Sequence, residues 1–361
     1  MAAPAMSRPR AAFHTLEVAR VDQLCADAVA VTFAVPEELS AEFAFRPGQY
    51  LTLRRLTPDG VEERRSYSIC APRGRAPQIG VRRVDGGLFS SWLVDEVRAG
   101  EKIDVLPPSG GFSPTELGGH HVLLAAGSGI TPVLSIAATL LADCPDSRVT
   151  LFYGNRRSDT VMFAEELADL KDAYRGRLQL VHVLSRERGD VELFAGRLDA
   201  QRIGKLLDLL VPVRDIAHWW LCGPYGMVTA AQDVLLARQV PVERVHQELF
   251  YVDEPPPELV REEESIVDGE AAEVVVLLDG RETVLALPRD TPILDAAQRV
   301  RADLPFACKG GVCGTCRAKV TEGEVRMRRN FALEPHEVAA GFVLTCQALP
   351  VTDTVTVDFD A

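Results

Sequence analysis

Nowhere in the 361 residues does an apolar run approach the roughly 18–20 residues that a membrane-spanning helix needs. The stretch from Met1 to Thr15 carries Arg and Pro and lacks the apolar core of a secretory signal. These absences lead to the expectation of a cytoplasmic protein with no membrane partner, in a compartment that keeps thiols reduced. Positive charge is also short. With 39 Lys and Arg against 52 Asp and Glu the chain stands at −13, the wrong sign for a surface that must meet nucleic-acid phosphates. Internal repeats and low-complexity tracts are missing, and so is the paired Glu-x-x-His of an oxygen-activating di-iron centre.

The chain is too long for one ordinary core and fits two or three domains. Its charge is uneven: Tyr251 to Ala271 holds eight acidic residues against one basic residue, Arg261, together with Pro255-Pro256-Pro257. Proline stiffens such a segment, like charges extend it, and little in it can be buried, so 251–271 reads as an interdomain linker. Before it, residues 12–116 show short β-rich stretches (HTLEVARV, AVAVTFAV, QYLTLRR, SYSIC, QIGVRRV) broken by one helix candidate, LFSSWLVDEV. That spacing predicts an antiparallel β-barrel. Residues 117–250 alternate strands with helices, from HVLLAA and TPVLSIAATLLA to HWWLCG and YGMVTAAQDVLLARQ, which predicts an α/β doubly wound parallel sheet. After the linker, EVVVLLDGRETVLALP predicts a hairpin turning at Asp279-Gly280, followed by a short helix, ILDAAQRV.

Cysteine is concentrated where the chemistry is. Cys308, Cys313 and Cys316 follow a C-x4-C-x2-C pattern in CKGGVCGTC, and 29 residues separate Cys316 from Cys346. This is the plant-type [2Fe–2S] spacing. Gly310, Gly311 and Gly314 let the loop wrap a cluster without side chains pushing it away. A structural zinc site is the alternative, although zinc usually takes paired two-residue spacings. Further upstream, Arg65-Ser66-Tyr67-Ser68 ends a barrel strand. An arginine can hold a phosphate, a tyrosine ring can stack on a flat heterocycle, and a serine can bond a ring nitrogen. Gly86-Gly87-Leu88-Phe89-Ser90 opens the barrel's helix, where free N–H groups suit a pyrophosphate. Either motif alone fits a surface strand or a helix cap; in this order they favour FAD. Gly127-Ser128-Gly129-Ile130-Thr131-Pro132 departs from GxGxxG at Pro132, yet still places a glycine turn at a helix N-terminus. Cys222-Gly223-Pro224 ends a strand at a sheet edge where ligands bind.

These motifs, in this order, resemble the ferredoxin–NADP reductase superfamily with a carboxyl-terminal ferredoxin domain. RSYS and GGLFS match its FAD motifs, GSGITP, YGNRR and CGPYGM its nicotinamide motifs, and CKGGVCGTC…C its cluster. Within the superfamily, LPFACKGGVCGTCRAKV, NFALEPHEVAAGFVLTCQALP and VTVDFDA are more similar to the reductases of phenylacetyl-CoA oxygenase (epoxidase) systems than to steroid-hydroxylase reductases. The resemblance implies a β-grasp ferredoxin domain over 272–361. It assigns Arg65, Tyr67 and Ser68 to the flavin, with Ser68 near N5, and Gly87 and Ser90 to the pyrophosphate. Gly127, Thr131, Cys222 and Gly223 fall near the nicotinamide, while Glu248 and Phe250 fall beside the flavin ring. It makes Ser68, Cys222 and Glu248 the catalytic group and Cys308, Cys313, Cys316 and Cys346 the iron ligands. Arg156 and Arg157 lie at the adenosine end, where two arginines favour NADPH over NADH.

The expected activity is then electron transfer from NADPH through FAD and the [2Fe–2S] cluster to a separate multisubunit oxygenase, with no nucleic acid and no membrane involved. Two readings of other classes stand beside it. One is a redox sensor that controls a partner; the other is an electron carrier that does not turn over nicotinamide.

Overall fold

The computed structural model describes residues 12–57, 60, 62–187, 191–250, 271–278, 280–301, 304–306, 309–333 and 335–361. The acidic segment expected at 251–271 lies, apart from Ala271, outside the described residues, as do Cys308 and Asp279. The described residues divide into two compact units, 13–250 and 271–361.

The first unit begins with a six-stranded antiparallel sheet in the order β4-β3-β6-β1-β2-β5. Its strands are β1 (His14–Cys25), β2 (Ala28–Ala34), β3 (Tyr50–Leu56), β4 (Glu62–Ser68), β5 (Gln78–Arg82) and β6 (Lys102–Val105), with helix α1 (Leu88–Asp95) before β6. An antiparallel bridge between Ile69 and Ile79 joins the two edge strands, so the sheet closes as the barrel that the spacing predicts. Closure removes the exposed edges of an antiparallel sheet. The interior is apolar, built from Leu16, Val18, Val31, Phe33, Leu51, Leu53, Val81 and Phe89.

A second, all-parallel sheet follows in the same unit, in the order β11-β10-β7-β8-β9 and with five strands. It consists of β7 (His120–Ala126), α2 (Ile130–Asp143), β8 (Arg148–Asn155), α3 (Ala164–Ala173), β9 (Leu178–Leu184), α4 (Ala200–Leu210), β10 (Ile216–Gly223), α5 (Tyr225–Ala237) and β11 (Val245–Leu249). The order reverses between β7 and β10, and such a reversal opens a crevice at the carboxyl ends of the strands. Barrel and parallel sheet share one core: Ala28, Ala30, Cys70 and Phe112 pack with Ile130, Val133, Ile136, Phe163 and Trp220. Across the same seam Ser135 Oγ donates to Ala71 O at 2.6 Å and Arg73 N–H to Thr139 Oγ1 at 3.0 Å. The boundary expected near residue 116 therefore falls inside a single packed body.

The second unit carries a five-stranded mixed sheet in the order β13-β12-β18-β14-β16 and a two-stranded ribbon, β15-β17. Its elements are β12 (Ala271–Leu278), β13 (Arg281–Pro288), α6 (Ile293–Ala297), β14 (Arg317–Glu322), β15 (Val325–Met327), α7 (Pro335–Ala339), β16 (Phe342–Leu344), β17 (Ala348–Pro350) and β18 (Thr354–Asp358). The hairpin β12-β13 forms as expected, and β12 pairs in parallel with the terminal β18. A short helix packed on such a sheet is the β-grasp arrangement. Ile293, Leu294, Ala296 and Ala297 of α6 are all buried in its core.

Histidines stand near the amino ends of three neighbouring parallel strands: His121 on β7, His218 on β10 and His246 on β11. His121 is fully buried. Its Nε2 faces two carbonyls, Leu117 O at 3.3 Å and Gly118 O at 3.1 Å, and so must carry the proton. Its Nδ1 accepts from Trp220 Nε1–H at 3.3 Å. Both nitrogens are committed to a neutral ring, and burial, aided by His218, pushes its pKa down to about 4. A base whose folded pKa is depressed contributes stability that is complete above its ordinary value and lost as pH falls through it. Between pH ~6.5 and ~4 this ring alone is worth on the order of 3 kcal/mol. Urea midpoints should fall across that window, and less steeply in His121→Gln, which keeps an acceptor for Trp220 and cannot charge. Parallel pH dependences in the two proteins would show that His121 does not titrate there.

Candidate active site at the barrel seam

Ser68, the last residue of β4, faces β11 across the seam, and its Oγ donates to Glu248 Oε2 at 2.9 Å. Burial pushes the Glu248 carboxyl up to about 7, while the Ser68 hydroxyl restrains the rise by bonding the charged form. Glu248 lies opposite Cys222 in the parallel pairing of β11 with β10. Cys222 is fully buried, and burial first, then the Glu248 charge, push its thiol well above its usual range. It is therefore a neutral thiol at pH 7. The three residues expected to form the catalytic group are thus brought together from two sheets. Phe250 follows directly, its N–H bonded to Gly223 O at 3.2 Å and its ring half-buried against the shared core.

The floor of the crevice is set by contact distance. A Cβ at Gly129 would stand 2.2 Å from Cys222 O and 2.9 Å from Gly223 N, so only glycine lets the loop after β7 meet the end of β10. Gly127 takes φ +55° in the same loop, and Tyr153 Oη donates to its carbonyl at 3.0 Å. Thr131 is buried, and its hydroxyl donates to Ser128 O at 3.0 Å, so it holds the loop in shape. Beyond the loop, Asn155 ends β8 with 8% of its surface exposed, and neither Oδ1 nor Nδ2 has a partner at hydrogen-bond geometry. A buried amide left unsatisfied in this way fits a ligand that supplies both a donor and an acceptor. Next to it, Arg156 is exposed and has no ion-pair partner among the described residues. Arg157 behaves differently, with Nε and Nη2 each 3.1 Å from the Asp159 carboxylate.

On the barrel, Arg65 is exposed and Tyr67 half-buried. Burial raises the Tyr67 phenol above its usual range, opposed by the charges of Arg65 and Arg55. Arg65 therefore lies close enough to act on the ring, as alternation along β4 requires. Gly87 caps α1, and a Cβ there would come within 2.8 Å of Ser90 Oγ. The Ser90 hydroxyl accepts from Val84 N–H at 3.0 Å and donates to Gly87 O at 3.2 Å, so its donor is committed to bracing this turn. The N–H groups at the start of α1 remain the feature that fits a pyrophosphate.

Arg82 was not singled out by its sequence context. It ends β5, forms an ion pair with Asp27 at 3.3 Å and donates to Thr160 O. Its Nη1 lies 3.4 Å from where Gly127 would carry a Cβ. The barrel thus extends a cation to the glycine loop of the other sheet, a placement with no local sequence signal.

In the second unit, Cys316 and Cys346 are 3% and 2% exposed. The Cys316 thiol is driven well above its usual range, first by its bond with Cys346, then by burial, with Cys313 adding to it. Two buried thiols bond each other with the half-buried Cys313 close enough to act on them, which fits a group that takes them as thiolates. Thr345 fastens the two turns that carry them, its Oγ1 donating to Cys316 O at 2.9 Å. Gly311 and Gly314 adopt φ +79° and +69°, and Gln347 Nε2 donates to Cys346 Sγ at 3.6 Å. Among the described residues no three such groups stand at single-ion spacing, and Cys308, the remaining expected ligand, lies outside them.

Two domain families match the chain. Residues 123–233 match the oxidoreductase NAD-binding domain, and residues 276–351 the 2Fe-2S iron-sulfur cluster binding domain. The chain is 45% identical to one subunit of the 1,2-phenylacetyl-CoA epoxidase of Escherichia coli, over 97% of this chain and 98% of that one. It is 35% identical to the ferredoxin reductase component of 3-ketosteroid-9-alpha-monooxygenase from Rhodococcus rhodochrous, over 95% and 96% of the two chains. Its fold is that of phthalate dioxygenase reductase, with a TM-score of 0.59 and 22% identity over 96% of this chain and 98% of that one. With a nucleotide-binding sheet, a closed barrel and a 2Fe-2S domain in one polypeptide, and such relatives along its whole length, the protein belongs to the family of electron-transfer reductase components of oxygenase systems.

Proposed function

We propose that the chain carries electrons from NADPH to a multisubunit oxygenase, the di-iron phenylacetyl-CoA epoxidase, by way of FAD and the [2Fe–2S] cluster. The observation that carries this reading is the Ser68–Glu248 bond at the mouth of a nucleotide crevice, in a chain that also gathers buried thiols on a ferredoxin-like sheet. The epoxidase is favoured over a steroid-hydroxylating system by the margin in identity, 45% against 35%. Bound FAD supplies the exchange between a two-electron donor and a one-electron acceptor.

The residues then divide the work. Arg65 and the N–H groups after Gly87 hold phosphate, Tyr67 lies against the flavin, and Ser90 keeps the Gly87 turn in shape. Gly127, Gly129 and Gly223 bring backbone close to the nicotinamide, and Thr131 stiffens their loop. Arg82 lends the glycine loop a positive charge. Phe250 shields the flavin ring, while Ser68 and Glu248 hold a proton beside it. Cys308, Cys313, Cys316 and Cys346 bind the cluster. Cytoplasmic localisation follows from the chemistry of these thiols, which require a reducing compartment.

Asn155 and Arg156 take the adenosine end. A 2′-phosphate contact with Arg156 is worth on the order of 1.5–3 kcal/mol. Arg156→Ala should therefore weaken NADPH roughly tenfold to a hundredfold in KM and leave NADH nearly unchanged. Arg157→Ala should do less, because Asp159 already holds that guanidinium. Equal losses for both nucleotides in both variants would show that neither arginine reads the phosphate.

Removing the Ser68 hydroxyl takes away the bond that favours the charged Glu248. Ser68→Ala should raise the Glu248 pKa above its present value near 7, and carbon-13 NMR titration of the carboxyl measures it. An unchanged or lowered value would mean that the two groups do not bond in solution.

Reconstitution tests the pathway. Full-length protein should support oxidation of phenylacetyl-CoA by the epoxidase component, and Cys313→Ser should abolish it while ferricyanide is still reduced at the expense of NADPH. Loss of both activities in a folded variant that retains FAD would refute an electron path of two modules in series.

A further inference from the structure

In the proposed reaction electrons leave the chain beside the cysteine loop, and the surface around that loop selects the protein that collects them. Its charge runs against that of the rest of the chain. Residues 309–329 hold six basic residues and two acidic ones, in a protein that stands at −13 overall. The two acids, Glu322 and Glu324, lie at the far end of β14 and in the turn after it. Arg317 opens β14 and Glu322 closes it, roughly 17 Å apart along the strand. The cations gather at the cysteine end.

Lys309, Arg317, Arg326 and Arg328 are exposed there. Lys309 follows Cys308 in sequence, and its carbonyl accepts from Gln347 Nε2–H at 2.9 Å. Arg317 follows Cys316 directly. Arg328 N–H donates at 2.9 Å to the carbonyl of Gln347, the neighbour of Cys346. Arg326 and Arg328 alternate with the half-buried Val325 and Met327. Extended backbone sends alternate side chains to opposite sides, so both guanidinium groups face outward together.

Apolar surface lies between these charges. Phe331 N–H donates to Gly311 O at 3.0 Å, and a Cβ at Gly314 would touch the Ala332 Cβ at 3.7 Å, so the segment after Arg328 runs along the cysteine loop. Phe306 and Phe331 are half-buried. The Lys309 ammonium stands 4.8 Å from the centre of the Phe306 ring, and the Arg317 guanidinium stacks on Phe342 at 3.6 Å. Half-exposed aromatic rings with arginine and lysine around them have the make-up of a docking patch, an apolar centre with a polar rim. Three acids also touch the rim. Asp295 pairs with Lys309 at 2.9 Å, Glu337 pairs with Arg317 at 3.1 Å, and Asp290 offers its carbonyl to Arg328 at 2.6 Å. Exposed pairs of this kind hold weakly in water, so carboxylates of a partner can take their place.

We propose that this cationic face of the second unit docks an acidic patch on an electron-accepting protein, the oxygenase component of the reading above. The inference rests on that reading for the identity of the partner, and on Lys309, Arg317, Arg326 and Arg328 for its charge. Nucleic acids and lipid surfaces are anionic too, but neither is an acceptor for the electrons that the chain must deliver. The contrast with the rest of the protein adds orientation. An acidic partner is repelled by the bulk of a chain at −13 and attracted at this face, so encounters begin with the cysteine loop foremost.

The test uses the full-length holoprotein and the double variant Arg326→Glu/Arg328→Glu. Its association with the oxygenase component, followed by biolayer interferometry at low salt, should slow roughly tenfold to a hundredfold, and the dependence on salt should flatten. Flavin reduction by NADPH and cluster reduction by the flavin should keep their rates. Arg326→Glu alone, which leaves the Asp290 bond in place, should show a smaller share of the same change. Arg326→Lys/Arg328→Lys should associate like the unaltered protein, because the rim is read by charge. Two small oxidants of opposite charge probe the face without a partner. Added salt should slow reoxidation of the reduced cluster by ferricyanide and speed it by hexaamminecobalt(III), and the double Glu variant should weaken or reverse that contrast. Unchanged association and salt dependence in the Glu variants, or the same response of both oxidants to salt, overturns the docking face. Slower cluster reduction by the flavin overturns it as well, since the cations would then serve transfer within the chain. If the oxygenase component binds neither form while the oxidants still report a cationic face, the partner named above is wrong and the face still selects an acidic acceptor.

Discussion

The first unit depends on a constraint of contact distance. Its barrel and its parallel sheet share one apolar core, and at the switch point the loop after β7 touches the backbone that ends β10. A Cβ at Gly129 would overlap Cys222 O at 2.2 Å. That closeness draws the end of β10, with Cys222, and the end of β11, with Glu248, against the barrel strand that ends at Ser68. Without the shared core the Ser68–Glu248 bond would have no reason to form, because each residue belongs to a different sheet and they are 180 positions apart in sequence.

Burial then decides the chemistry of the groups so placed. It raises the Glu248 carboxyl towards neutrality, keeps the Cys222 thiol protonated and holds His121 and His246 uncharged. The same desolvation acts with opposite sign on acids and bases. The carboxyl ends of the strands thus hold an acid poised near pH 7 beside a neutral thiol, while their amino ends hold uncharged imidazoles. The second unit meets desolvation differently. Its buried cysteines crowd together, and ligation as thiolates is what would relieve them.

Hydroxyl groups illustrate a division between binding and bracing. Ser90 and Thr131 occupy positions where the family resemblance puts ligand contacts, yet both spend their donors on nearby backbone, Gly87 O and Ser128 O. Each fixes the loop whose N–H groups or glycines come close to a ligand. Arg157, held by Asp159, stands in a similar relation to Arg156. A motif can therefore recur because its turn must be rigid, as well as because its side chain touches a cofactor.

The sequence by itself determined the local features whose causes are local. Alternation marked β1, continuous apolar runs marked β2 and β7, an Asp-Gly step marked the β12-β13 hairpin, and the cysteine spacing with its glycines marked the cluster loop. Sequence periodicity missed β11: VHQEL is mostly polar, and it forms a strand because β10 offers it an open parallel edge. That strand carries both Glu248 and His246. Arg82 and Asn155 were equally illegible, since an arginine in VRR and an asparagine in YGN look like surface residues until another sheet lies over them. The pairing of Ser68 with Glu248, the raised pKa of that carboxyl and the stacking of His246 on Trp220 beside His218 were decided only by tertiary structure. Each depends on distance through space and on the removal of water, and neither is written in the order of residues along the chain.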